Sequence, residues 1–165
     1  MEFTEIELFK EDMKFSAGHF TIFSETNRED MHGHNFTVYA KFKLMMRDDG
    51  LSADYVPLKL LVSEICKSLN EKFIIPKLSK HLRISKQEQH IVVCFNGEEM
   101  RFLERDILLL EIKNATLEEF ARYIATQIIC NQKLCQELRL ASLQIKVSSG
   151  PGQWASHLIE NIIFN

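Results

Sequence analysis

From His34 to Leu44 the chain alternates apolar with more polar positions, with Phe36, Val38, Ala40, Phe42 and Leu44 all on even numbers. A period of two is that of a strand with one face against a core. The stretch is predicted as a strand ended by the turn Arg47-Asp48-Asp49-Gly50. Residues 2 to 19 are also predicted as extended, with Phe15, Ala17 and His19 on one face. The period then lengthens. Leu58, Leu61, Val62, Ile65 and Leu69 recur at the spacing of a helix lying on a core, and Pro57 suits its first turn. After Pro76 comes a polar stretch and then a hairpin, His90 to Phe95 and Glu98 to Leu103, joined by Asn96-Gly97. A second helix is predicted from the capping box Thr116-Leu117-Glu118-Glu119, burying Leu117, Phe120, Ala121, Ile124 and Ile128. Two further strands, Ser142 to Ser149 and Trp154 to Phe164, flank the turn Gly150-Pro151-Gly152. With residues 76–112 set aside as an insertion, the order β-β-α-α-β-β predicts an α+β fold, helices on one face of an antiparallel sheet.

Composition narrows the function classes. No repeat or linker interrupts the 165 residues, so residues 1–165 are expected to form one domain. The net charge of −3, from 20 basic and 23 acidic residues, excludes a strongly electropositive nucleic-acid surface, and no nucleic-acid partner is expected. No apolar run approaches the roughly 18 residues that cross a bilayer. The first residues carry no apolar signal core, and a cytosolic protein without a membrane partner is expected. Cys66, Cys94, Cys130 and Cys135 form no C-x-x-C pair and read as reduced thiols or small apolar side chains.

Histidine carries the candidate chemistry. His32-Gly33-His34 enters the strand directly, and in extended chain residues i and i+2 share a face. His19 ends the preceding extended segment, so antiparallel pairing would bring it beside the other two. Three neutral imidazoles with one open position suit a catalytic zinc site. On the residues alone, histidines merely exposed or capped at a strand start remain the competing reading.

The motifs Phe15-Ser16-Ala17-Gly18-His19 and His32-Gly33-His34-Asn35-Phe36 stand in a specific order and spacing. With them go Ala53-Asp54-Tyr55-Val56-Pro57-Leu58-Lys59, Asn114-Ala115-Thr116-Leu117-Glu118 and Val147-Ser148-Ser149. Together they resemble the 6-pyruvoyl-tetrahydropterin and 6-carboxytetrahydropterin synthases of the tunnelling (T-) fold. The resemblance implies a four-stranded antiparallel sheet with two helices on one side, and three subunits closing into a barrel, commonly paired as a hexamer. It implies Zn2+ held by His19, His32 and His34, with active sites between subunits. It also implies a pterin substrate, 7,8-dihydroneopterin triphosphate, whose carbon-bound proton a general base removes beside the metal.

The chain departs from the family pattern at four positions. The usual cysteine before His-Gly-His is replaced by Arg28, and Leu-Asp-His becomes Leu69-Asn70-Glu71. The pterin-anchoring glutamate aligns with Ser149, a shorter and weaker acceptor than a carboxylate. Glu29, three before His32, matches the spacing of a branch that uses glutamate as the base and releases a hydroxymethyl pterin. Glu29 and Glu71 are therefore the candidate catalytic carboxylates, and Glu118, Thr116 and Ser149 the candidate substrate-binding residues. Helix capping is the plainer role for Thr116 and Glu118, solvation for Glu29 and Glu71, and helix capping for Asp54. Asn70 can only position, and Trp154 reads as wall. Two other readings stay open: a degenerate member that binds a pterin or purine-like ligand without turnover, and a zinc that is purely architectural.

Overall fold

A computed structural model describes residues 2–163; the predicted strand 154–164 ends earlier, at Ile159, and its last residue, Phe164, lies outside the described residues. The antiparallel sheet is organised around β3 (His32–Met45), and it covers the whole predicted strand. The extended segment 2–19 is divided in two, β1 (Phe3–Leu8) and β2 (Lys14–His19). Both lie end to end along one edge of β3, β1 against residues 40–45 and β2 against residues 32–37. The division has a local cause: Met13 N–H bonds back to Lys10 O in a turn, and Met13 O then accepts from Val38 N–H, returning the chain to β3.

The first helix, α1 (Val56–Leu69), carries Pro57 in its first turn as predicted, and the Asp54 carboxylate accepts from Val56 N–H at 3.0 Å. The second, α2 (Leu117–Cys130), has Thr116 as its N-cap, the hydroxyl accepting from Glu119 N–H. Only half of the capping box forms, because Glu119 instead pairs with Arg122 and accepts from Lys113 N–H. A short α3 (Gln132–Glu137), which no periodicity announces, leads to β9 (Leu140–Gly150) on the other edge of β3, and β10 (Gln153–Ile159) pairs with β9. The even-numbered face of β3 packs under the helices, with Phe15 stacked on Phe36 at 4.8 Å and Phe120 edge-on to both.

The connection between the helices is more than a hairpin. The predicted pair is present with the expected bounds as β6 (His90–Phe95) and β7 (Glu98–Leu103), and Asn96 and Gly97 both hold positive φ at the turn. It gains β5 (Arg83–Gln87) to make a separate three-stranded sheet. Two more strands, β4 (Lys72–Pro76) and β8 (Ile107–Leu110), extend the main sheet in parallel beyond β2. The main sheet thus has seven strands, the antiparallel set and this parallel pair. Ile74-Ile75 and Ile107-Leu108-Leu109-Leu110 are unbroken apolar runs, the pattern of parallel strands rather than the alternation sought above.

The connection also owns a core. Phe95, Met100, Ile91, Val93 and Ile107 pack with Phe20 and Ile22, the apolar residues immediately after His19. At the seam, a Cβ on Gly18 would lie 2.5 Å from the Phe73 ring, itself stacked on Phe102. Gly18→Ala is therefore expected to lose about 1–3 kcal/mol through overpacking, read as a lowered urea midpoint. An unchanged midpoint would show that Phe73 swings away freely.

Candidate metal centre

The pairing of β2 with β3 sets His19 opposite His32 and Ala17 opposite His34, so the three imidazoles share one face. Ring centroids lie 4.6 Å (His19–His32), 5.3 Å (His19–His34) and 4.9 Å (His32–His34) apart. One ligand atom from each residue falls within 4.8 Å of the others.

The hydrogen bonds around these rings select the donor atoms. His19 Nδ1 is 2.8 Å from Ala115 O, and a carbonyl only accepts, so Nδ1 carries the proton and Nε2 the lone pair. That Nε2 is buried with no partner. His32 Nδ1 is likewise 2.7 Å from Asp30 O, which leaves its Nε2 as the open donor. Second-partner bonds of this kind orient imidazoles for a metal. An orphaned buried nitrogen otherwise costs about 1–3 kcal/mol, which a bound cation would remove. The residues present therefore fit a divalent ion of zinc type.

Burial lowers the His19 pKa, His32 and His34 nearby reinforce it, and the Ala115 bond opposes it. The neutral imidazole, the form that ligates, is favoured. The sign for stability follows: an unfolded histidine binds a proton near pH ~6.5 where the folded one resists it, so acid favours the unfolded chain. The metal-free protein is expected to lose urea stability as pH falls through that value. A flat profile between about pH 7 and 5.5 would contradict this.

Glu29 is the carboxylate nearest the cluster. Its Oε2 accepts from Thr21 N–H at 2.8 Å and lies 3.9 Å from His32 Nε2. Burial works against its charge, but the Thr21 bond and the facing His32 and His19 rings more than offset that, holding its pKa below the usual carboxylate range. Glu29 N–H in turn bonds Thr21 O at 2.8 Å, so the β2–β3 loop is pinned at this residue by two bonds.

The other candidates are spread around the cluster. Thr116 caps α2 one residue after Ala115, so the helix start lies against His19, and Glu118 is exposed in its first turn. Glu71 and His34 both line an open cavity of about 430 Å³ with Ser16, Asn35 and Phe73. Glu71 itself sits at φ 57° and bonds Ser16 O through its N–H. Ser149 is near the end of β9 that runs toward the start of β3, with its hydroxyl accepting from Gln153 Nε2 at 2.8 Å. Asn70 positions β2, as its chemistry required: Oδ1 accepts from Ser16 N–H at 2.8 Å. Cys66 and Cys135 are buried, and burial pushes their thiols up to about 12 and about 11, far from the nucleophilic range.

Two supporting residues escaped the sequence reading. Asn114 bonds Ile22 through both ends of its amide, at 3.0 Å and 2.8 Å, tying the β2–β3 loop to the start of α2. Ala115 acts through its backbone carbonyl, which no residue type can advertise. Asn114-Ala115 stands in the quoted motif, and that was the one available signal.

The chain matches the family profile described as 6-pyruvoyl tetrahydropterin synthase over residues 7–160. It belongs to that family. The 6-pyruvoyl tetrahydropterin synthase family likeness extends to structure. The Plasmodium falciparum 6-pyruvoyl tetrahydropterin synthase superposes with a TM-score of 0.88 at 30% identity, covering 96% of this chain and 98% of that one. A Plasmodium vivax 6-pyruvoyltetrahydropterin synthase, with a catalytic glutamate replaced by alanine, gives 0.89 at 26% identity over 97% and 99%. A Methanocaldococcus jannaschii protein provisionally named 6-carboxy-5,6,7,8-tetrahydropterin synthase is 26% identical over 146 residues, 88% of this chain and 89% of the relative. The α+β T-fold and the pterin synthase family expected from the motifs are thus those of the chain. The sheet, however, has seven strands, two of them added in parallel, where four antiparallel strands were expected. Among the described residues no helix is long and apolar enough to cross a membrane.

Proposed function

We propose that this chain is a zinc-dependent lyase acting on a pterin of the 7,8-dihydroneopterin triphosphate type, with His19, His32 and His34 as the metal ligands. The observation that carries the reading is the buried, unpartnered Nε2 of His19 within ligand distance of the other two rings. A zinc ion there would polarise substrate oxygens and make the adjacent carbon-bound proton more acidic.

In this reading Glu29 takes that proton. Its carboxylate is ionised at neutral pH, the form that takes a proton, and its Oε2 lies 3.9 Å from His32 Nε2. The glutamate named as catalytic in the Plasmodium vivax synthase supports a carboxylate in the role. Glu71, facing the cavity that His34 also lines, would relay the proton outward. Thr116 and Glu118 would meet the pterin ring from the start of α2, and Ser149 from β9. The assembly would be a homo-oligomer, trimer or hexamer, with the site completed between subunits, and residues 1–165 would act as one domain.

Ser149 favours a second reading, a zinc-containing member that binds a pterin or purine-like ligand without turnover. Its hydroxyl is already held by Gln153 and offers no carboxylate to anchor a pterin. Incubating the zinc-loaded protein with dihydroneopterin triphosphate separates the two. The lyase reading expects substrate loss that a chelator stops and added zinc restores. A tight complex without product, zinc intact, would contradict it.

A further inference from the structure

Arg28 occupies the position where the family usually places its catalytic cysteine, yet its side chain is turned away from the histidines into the inserted sheet. The guanidinium lies over the Phe20 ring at 5.0 Å and over the Phe95 ring at 5.8 Å. Phe20 directly follows the ligand candidate His19, and Phe95 closes β6 of the insertion. Nη1 donates to Glu29 O at 2.7 Å, and Nη2 lies 3.8 Å from Glu98 at the hairpin. Only 17% of the side chain is exposed, and Nε is buried without a partner. A planar cation thus contacts one ring that follows the metal-bearing strand and one from the insertion while donating to Glu29 O, a combination a lysine cannot reproduce.

We infer that Arg28 is a positioning residue, through which the inserted β5–β7 sheet fixes the backbone at Glu29 and so aims its carboxylate at the histidine cluster. The fork holds the carbonyl of Glu29, and the Thr21 bonds hold its amide and its carboxylate, so the residue is fixed on three sides. The insertion thereby gains a role in the reaction without touching substrate. The inference rests on the reading of Glu29 as the base only for its effect on rate; its effect on the loop stands apart from that reading.

The test uses the full-length, zinc-loaded protein and Arg28→Leu, Arg28→Lys and Phe95→Leu. Amide hydrogen exchange over residues 21–29 is expected to quicken about tenfold or more in Arg28→Leu, and less in Arg28→Lys and Phe95→Leu. Turnover is expected to fall about 10- to 100-fold in kcat with little change in KM, the signature of a misaimed group. Zinc content is expected to hold. If Arg28→Leu does not fold, Phe95→Leu carries the test. Exchange and kcat unchanged from the parent in the variants that fold would overturn the inference. Quickened exchange alongside full activity in Glu29→Gln would keep the loop role of Arg28 and overturn the base assignment instead.

Discussion

A His19→Ala variant is expected to lose stoichiometric zinc and to unfold at lower urea than the parent. His19 is the deepest of the three rings, 6% exposed, wedged edge-on against Phe36 and Phe120. Removing it deletes one of three donors, so the loss of affinity should exceed the about 10- to 100-fold that follows loss of a ligand's hydrogen-bond partner. It also strands Ala115 O at the start of α2, for about 1–3 kcal/mol of stability, a loss that in metal-free protein is offset by removal of the unpartnered Nε2. His32→Ala, removing a more exposed ring, should lose the metal with a smaller stability change. Equal zinc content in parent and His19→Ala, by atomic absorption after gel filtration, would refute the ligand assignment.

The second large effect is expected at Glu29. Glu29→Gln keeps the side-chain oxygen that accepts from Thr21 N–H but cannot take a proton, so kcat is expected to fall by about 100- to 10,000-fold. Zinc should remain, because the carboxylate lies 3.9 Å from His32 Nε2 and is not among the three clustered donors. Metal loss in this variant would instead make Glu29 part of the ligand set. Unchanged kcat would move the proton transfer to another group, with Glu71 the next to replace.

The metal ligands and Glu29 differ in how far the sequence announces them. His19, His32 and His34 were legible because strand alternation is a strict geometric rule: once β2 pairs with β3 antiparallel, register alone sets the rings together. The two long helices, α1 and α2, were legible from their apolar stripes, though α3 was not, and Asn96-Gly97 located its hairpin to the residue. The division of residues 2–19 was not, since nothing in Phe9 to Met13 breaks the extended pattern as a proline or glycine would. The parallel strands β4 and β8 were missed because a strand covered on both faces shows no alternation. In the site, Glu29 could be marked only by its spacing from His32, while its anchor at Thr21 and its bond from Arg28 run through backbone groups, which carry no sequence signature. Arg28 stands where the resemblance led one to expect a cysteine, and its guanidinium lies over the Phe20 and Phe95 rings, contacts that no local pattern announces.

The most direct check is zinc K-edge X-ray absorption on protein reconstituted with one equivalent of the metal. Convergence of His19, His32 and His34 predicts tight uptake of one zinc per chain, with three imidazole nitrogens at about 2.0–2.1 Å and an exchangeable oxygen ligand completing a tetrahedron. Fewer than three imidazoles, a sulfur ligand, or zinc that washes away at neutral pH would contradict the account.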